Sequence, residues 1–178
     1  MSDVWEEMDG DVGRVEREAR RVQEAAEAEA RQLQLASRAL TDVAWEAMQQ
    51  GRRVQLRWVG GELAGTPLAA VGDLIVIRTD DGAAGVNVAA IGSVETTGER
   101  GDRGSVGDRI VESFVAWCRM IGDRPVRVAV TGGRLIDGVL VAVASDHLLI
   151  RTRHGSDVAV ARTQVAAVSV AGDPFFAL

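Results

Sequence analysis

Hydrophobic positions along the chain follow two different periods. From Val12 to Ala47 the apolar residues Val12, Val15, Ala19, Val22, Ala26, Leu33, Ala36, Leu40, Val43 and Ala47 recur at steps of three and four, with Glu29 as the one interruption. No glycine or proline falls between Arg14 and Gln50, and Ala, Glu, Arg, Gln and Leu dominate, which are strong helix formers. This pattern predicts a long helix over residues 14–50, ended by Gly51 as a C-terminal glycine cap. At about 1.5 Å per residue it would span roughly 55 Å. A three-four repeat held that long is the pattern of a coiled coil. The helix would either lie across its own chain or pair with a second copy. The repeat favours pairing, hence a homodimer or higher oligomer, with Val12, Val15, Val22, Leu33, Leu40 and Val43 as the self-association seam.

Beyond Gly51 the period falls to two. Between Arg124 and Val170, Val126, Val128 and Val130 alternate with Arg127 and Ala129, and Thr131-Gly132-Gly133 supplies a turn. A long apolar run follows from Leu135 to Ala144, with Gly138 inside it as a mark of bending. Ser145-Asp146 turns the chain into His147-Leu148-Leu149-Ile150, His154-Gly155-Ser156 turns it again, and Val158–Val160 and Val165–Val170 complete five short strands. Strands this short predict a strongly bent, nearly closed sheet.

A weaker copy lies at Arg53–Val94. Gly60-Gly61-x-Leu63 matches Gly132-Gly133-x-Leu135 at a spacing of 72, and Ile77-Arg78-Thr79 matches Ile150-Arg151-Thr152 at 73. Val94 then corresponds to Val168. Thr96–Gly107, polar and glycine-rich, reads as the connector. A second helix is expected from Asp108 to Ile121, capped by Asp108 or Ser105 and apolar on two faces, as in a helix buried between layers. Val43-Ala44-Trp45 with Met48 recurs as Val115-Ala116-Trp117 with Met120, so each unit reads as a helix followed by a barrel. Phe114 and Cys118 align with Asp42 and Glu46, which predicts that the first of the two helices is the exposed one.

The expected fold class is therefore α+β, a long N-terminal helix followed by two tandem five-stranded antiparallel small β-barrels, each preceded by a helix. The segments are 1–50 (acidic stretch and long helix), 51–96 (first barrel), 97–107 (linker), 108–122 (buried helix) and 123–178 (second barrel and tail). Barrels this small bury little surface alone, so each should lean on a helix or on the other.

Composition narrows the function. All 20 basic residues are arginine and the net charge is −6. Residues 1–30 hold ten acids against four arginines, and the remainder is balanced. An acidic arm on a neutral body lacks the basic face of a duplex-DNA binder. The N-terminal VWEEMDGD reads as a frayed end and the C-terminal AGDPFFAL as a tail docked over the core. No charged leader with an apolar core and no membrane-length apolar run are present, so the expected location is cytoplasmic. The single Cys118 excludes an intramolecular disulfide and a cysteine-based zinc cluster. His147 and His154 are the only histidines and fit neither an HExxH motif nor a nucleophile elbow. The Gly-Gly pairs lack a following lysine and helix start, and so read as hairpin turns rather than phosphate loops. No catalytic residue, metal site or cofactor is expected.

The barrel features named above, Gly133-x-Leu135, Gly138-Val139-x-Val141, Asp146 and HLLIRT, with Gly61-x-Leu63, Gly65, Asp73 and LIVIRT in the first copy, resemble those of the Sm-like (LSm and Hfq-type) small barrels. They are also comparable with SH3-like barrels. An Sm-like likeness implies RNA contacts at the loops Ser145-Asp146-His147 and Arg162-Thr163-Gln164, and at Gly72-Asp73 and Ala89-Ala90. The second Sm signature is replaced here by VAVARTQVAAV and VNVAAIGSV, and base-stacking aromatics are missing from these loops. Two functions follow as expectations. The first is a non-enzymatic assembly or regulatory scaffold acting through protein–protein contacts with an unknown partner. The second is a nucleic-acid-associated regulator in which Arg127, Arg151, Arg153 and Arg162 contact phosphates.

Overall fold

Leu74, Ile75, Val76 and Ile77 are four consecutive residues with no exposed surface. A strand can bury all its side chains only where both faces of its sheet are covered. The computed structural model, which describes residues 18, 20–29, 38–100 and 111–172, shows how that is achieved. The strands are β1 (Arg52–Trp58), β2 (Gly61–Val71), β3 (Leu74–Thr79), β4 (Gly82–Asn87), β5 (Ile91–Arg100), β6 (Pro125–Val130), β7 (Leu135–Val143), β8 (His147–Thr152), β9 (Asp157–Ala161) and β10 (Val165–Ala171). Helix α1 is Leu40–Gln49 and α2 is Phe114–Met120. Leu74 and Val76 join one apolar core, with Phe114, Trp117 and Cys118 of α2. Ile75 and Ile77 join a second core on the other face, with Ala44 and Ala47 of α1.

Two closed five-stranded barrels do not form. All ten strands make one open antiparallel sheet in the order β5-β1-β2-β3-β4-β10-β6-β7-β8-β9. The physical reason lies at its centre. A five-stranded group leaves backbone donors and acceptors unpaired on its outer strands. Here the edge of β4 satisfies the edge of β10, with Val86 opposite Ala167, Gly85 opposite Val168 and Gly82 opposite Ala171. Ala83, Ala84 and Gly85 are small enough to be buried where the two groups meet.

Within that sheet the two halves are built alike. Each runs fifth strand, first, second, third, fourth. Val54 opposes Gly65 as Val126 opposes Gly138. The second strand is bulged between Pro67 and Ala69 in one half and between Leu140 and Ala142 in the other. At Gly65 and Gly138 a Cβ would collide with the carbonyl oxygens of Arg78 and Arg151 respectively. The glycines thus serve close strand approach, and the bend itself falls a few residues further on.

The long helix expected over 14–50 is also corrected. Residues 20–29 are helical, with Val22 on the surface at 66% exposure. Arg38 and Ala39, however, lie outside any helix, and α1 starts afresh at Leu40. Ala39 is extended (φ −74°, ψ 156°), and its N–H donates to Asp42 Oδ2 at 2.9 Å. A carboxylate in the first turn that takes up a backbone donor starts a helix, and here it does so inside the apolar repeat. Val12, Val15 and Leu33 of the expected seam lie outside the described residues. Leu40 packs against the core of its own chain and Val43 is half-buried in α1. Gly51, with φ 62°, follows the helix as expected.

The second helix is shorter than expected. It begins after Ser113, whose hydroxyl accepts the Ala116 N–H at 3.1 Å, and the expected caps Asp108 and Ser105 lie outside the described residues. Strand β5 runs to Arg100, into the stretch expected as connector. Among the described residues, no helix is long and apolar enough to cross a membrane.

Candidate functional site

A groove of about 750 Å³ opens where the halves join. Its walls come from both. Leu63 of β2, Thr79 of β3 and Asp81 stand on one side, and residues of β6, β7, β8 and β10 on the other. Pro125, Val126, Gly138, Val139 and Val170 give it a largely apolar lining.

Three of the four arginines named from the sequence, Arg127, Arg151 and Arg153, line this groove. Strand register decides what two of them can do. Arg127 lies directly opposite Asp137, and Arg151 opposite Asp157. Each pair closes with two hydrogen bonds. Arg127 Nε donates to Asp137 Oδ1 at 2.8 Å and Nη2 to Oδ2 at 3.3 Å. Arg151 Nε and Nη2 reach Asp157 Oδ1 and Oδ2 at 2.9 and 3.1 Å. The donated hydrogen bonds hold both carboxyls below the usual aspartate range and raise both guanidinium pKa values further. Arg153, in the turn after β8, is the groove arginine with no ion pair among the described residues.

Arg162 is placed elsewhere. It opens the 3₁₀ turn Arg162–Gln164, donates its N–H to the Asp146 carbonyl at 2.7 Å, and presents its own carbonyl to Asn87 Nδ2 at 3.4 Å. The equivalent turn of the first half is Val88–Ala90. Thus the loops that an Sm-like likeness would use and the arginine groove are separate places.

The chain matches no family model and no curated protein. What it can do must therefore be read from its own groups.

Those groups are mostly engaged in structure. Cys118 is fully buried in α2, and burial, with the nearby Asp73 charge, pushes its thiol up to about 12. His147 begins β8, with Nδ1 2.7 Å from Asp146 Oδ1, and His154 is exposed in the following turn. Among the described residues no three His, Cys, Asp or Glu side chains gather in a metal-holding group.

The sequence reading missed two ties that hold the halves together, and one hydrogen bond that seats the helix between them. Asn87, only 6% exposed, donates to the Val165 carbonyl at 3.1 Å and accepts the Ala89 N–H at 3.2 Å. Asp73 Oδ1 accepts the Phe114 N–H at 2.9 Å. Trp117 Nε1 donates to the Val168 carbonyl at 3.1 Å. The one available signal was the asymmetry of the copies, since Asn87 falls where the second half has Ala161. The other clear surface feature is on β7, where Leu135, Val139 and Val141 are exposed, and Val139 carries that apolar surface into the groove.

Proposed function

We propose that this protein is a non-enzymatic assembly or regulatory scaffold that works through protein–protein contacts. The observation that carries this reading is the apolar surface of β7, Leu135, Val139 and Val141, continuous with an apolar groove. A water-facing strand with three large aliphatic side chains gains from being covered. Two of the three arginines beside it, Arg127 and Arg151, are already neutralised by aspartates, so they frame such a contact more readily than they bind free phosphate. A cytoplasmic location accompanies this reading.

A second reading, nucleic-acid association, draws on the gathering of Arg127, Arg151 and Arg153 at one groove. The Sm-like likeness belongs with it. Phosphate contacts of this kind must weaken as salt rises.

Size-exclusion chromatography of the full-length protein, with mass and 260/280 nm readout, tests both. The scaffold reading expects a mass above one chain and a protein-like absorbance ratio. A single-chain mass at tens of micromolar overturns it. A raised ratio that a high-salt wash removes favours the second reading.

A further inference from the structure

The ten-stranded sheet has two ends, β9 and β5, each hydrogen-bonded to one neighbour only among the described residues. Because the halves repeat, these ends have counterparts inside the molecule. Strand β9 stands in the second half where β4 stands in the first, and β5 stands where β10 does. The internal counterparts are paired with each other. The chain therefore carries one complete junction and, at its two ends, the two separate halves of another.

Resting on the assembly reading, we propose that the free edge of β9 in one copy pairs antiparallel with the free edge of β5 in a second copy, repeating the β4–β10 junction between molecules. The internal register transfers directly. Gly85 opposite Val168 becomes Ala159 opposite Val94, and Ala84 opposite Ser169 becomes Val158 opposite Glu95.

The phase of the backbone fits. Thr152 N–H donates to the Ser156 carbonyl and Arg162 N–H to the Asp146 carbonyl. Ladder bonds alternate along an antiparallel pair, so residues 156, 158, 160 and 162 face β8, and Asp157, Ala159 and Ala161 turn their backbone groups to the open edge. That edge is unguarded. Exposed edge strands are ordinarily blunted by lysine, proline or a bulge. Strand β9, DVAVA, has none of these, and its one charge is drawn back to Arg151. Burial differs in the matching sense. Ala83–Asn87 are all buried at the internal junction, whereas Asp157, Ala159 and Ala161 are exposed. Ala159 carries a methyl where Gly85 has none, so Trp45 does not take the seat of Trp117 against its neighbour, in keeping with the different face that α1 buries. The contact is heterologous, so copies add head to tail, into a ring where the rotation between copies closes and into an open filament where it does not.

Two arms on the full-length protein test this. Ala159→Pro removes an N–H directed at the open edge and spares the ladder to β8, so it should reduce the mass to one chain with circular dichroism unchanged. Independently, Glu95→Cys protein mixed with Val158→Cys protein should form a disulfide between the two under mild oxidation, and neither variant should form it alone. The cross-link decides the matter if the proline variant fails to fold. A multi-chain wild type whose mass survives Ala159→Pro, with no mixed cross-link, overturns the edge pairing and leaves the scaffold reading standing. A single-chain wild type overturns both.

Discussion

The indole of Trp117 lies so close against Gly85 that a Cβ at that position would overlap its Cδ1 and Nε1 atoms. Trp117 belongs to the helix before the second half and Gly85 to the fourth strand of the first, so this contact is where the two halves lock. The indole N–H is satisfied by the Val168 carbonyl on the strand beside Gly85. One side chain thus spans both strands of the junction.

Adding a single methyl group should therefore be costly. Gly85→Ala must displace a fully buried tryptophan, and overpacking of this kind costs about 1–3 kcal/mol. Gly98→Ala, with no atom within 4 Å of the added carbon, is the matched control and should leave stability nearly unchanged. Urea midpoints of the two variants against the parent provide the measurement.

The duplicated tryptophans should behave oppositely. Trp117 has no exposed surface, while Trp45 is 52% exposed. Trp117→Phe loses a buried hydrogen bond as well as volume, an effect of about 1–3 kcal/mol. Trp45→Phe should fall within about 0.5 kcal/mol of the parent. In acrylamide quenching, loss of Trp45 should remove an accessible component of the emission and loss of Trp117 a protected one.

These contacts also show how far the sequence could be read. Strand positions, turns and the duplication were legible because alternation and glycine placement are local. Gly60 and Gly132 do sit in turns with positive φ, and the bulges fall 73 residues apart. Closure was not legible. The run Leu74–Ile77 and the run Leu148–Ile150 look alike in sequence, yet every residue of the first is buried and Leu149 of the second is only half-buried. What separates them is position in the joined sheet, which depends on a β4–β10 pairing between distant segments. The break at Ala39 was missed for a different reason. The apolar repeat runs through it, and only the Asp42 carboxylate hydrogen bond marks the restart. At the groove, the arginines were legible as residues. The neutralisation of Arg127 by Asp137 and of Arg151 by Asp157 required strand register.

Helix α2 depends on an acceptor borrowed from the other half. Asp73 takes the Phe114 N–H while Ser113 takes that of Ala116. Loss of a capping side chain costs about 0.5–2 kcal/mol, so Asp73→Ala and Ser113→Ala should each lower the urea midpoint by an amount in that range. Asp73→Asn, which keeps an oxygen at the same place, should recover part of the loss.

Acid should loosen the groove before it touches the core. Asp137 and Asp157 are held below the usual aspartate value, chiefly by hydrogen bonds from Arg127 and Arg151. The folded chain then gives up these protons more readily than the unfolded chain, so the pairs add stability above the ordinary aspartate range, near about pH 4. That contribution disappears as pH falls through the depressed folded-state values. Both pairs are solvent-exposed, and the effect is correspondingly small. Denaturation midpoints measured from neutral pH downward should decline less steeply in a chain carrying Asp137→Asn and Asp157→Asn than in the parent.

Cys118 should report the opening of the junction rather than any chemistry of its own. The thiolate is the species that attacks a disulfide reagent, and burial pushes this thiol up to about 12. At pH 8 the ionised fraction is then about one in ten thousand, and the sulfur has no exposed surface. Reaction must wait for α2 to leave the sheet. The labelling rate therefore follows the population of the opened state and should rise steeply with sub-denaturing urea. Gly85→Ala weakens the seat of the same helix and should raise that rate in water. The aromatic disulfide reagent read at 412 nm, applied to parent and Gly85→Ala proteins across a urea series, makes the comparison. Rapid labelling of the parent without urea would mean that α2 is not packed as described. A rate that Gly85→Ala leaves unchanged would mean that opening at Cys118 is independent of the Trp117–Gly85 contact.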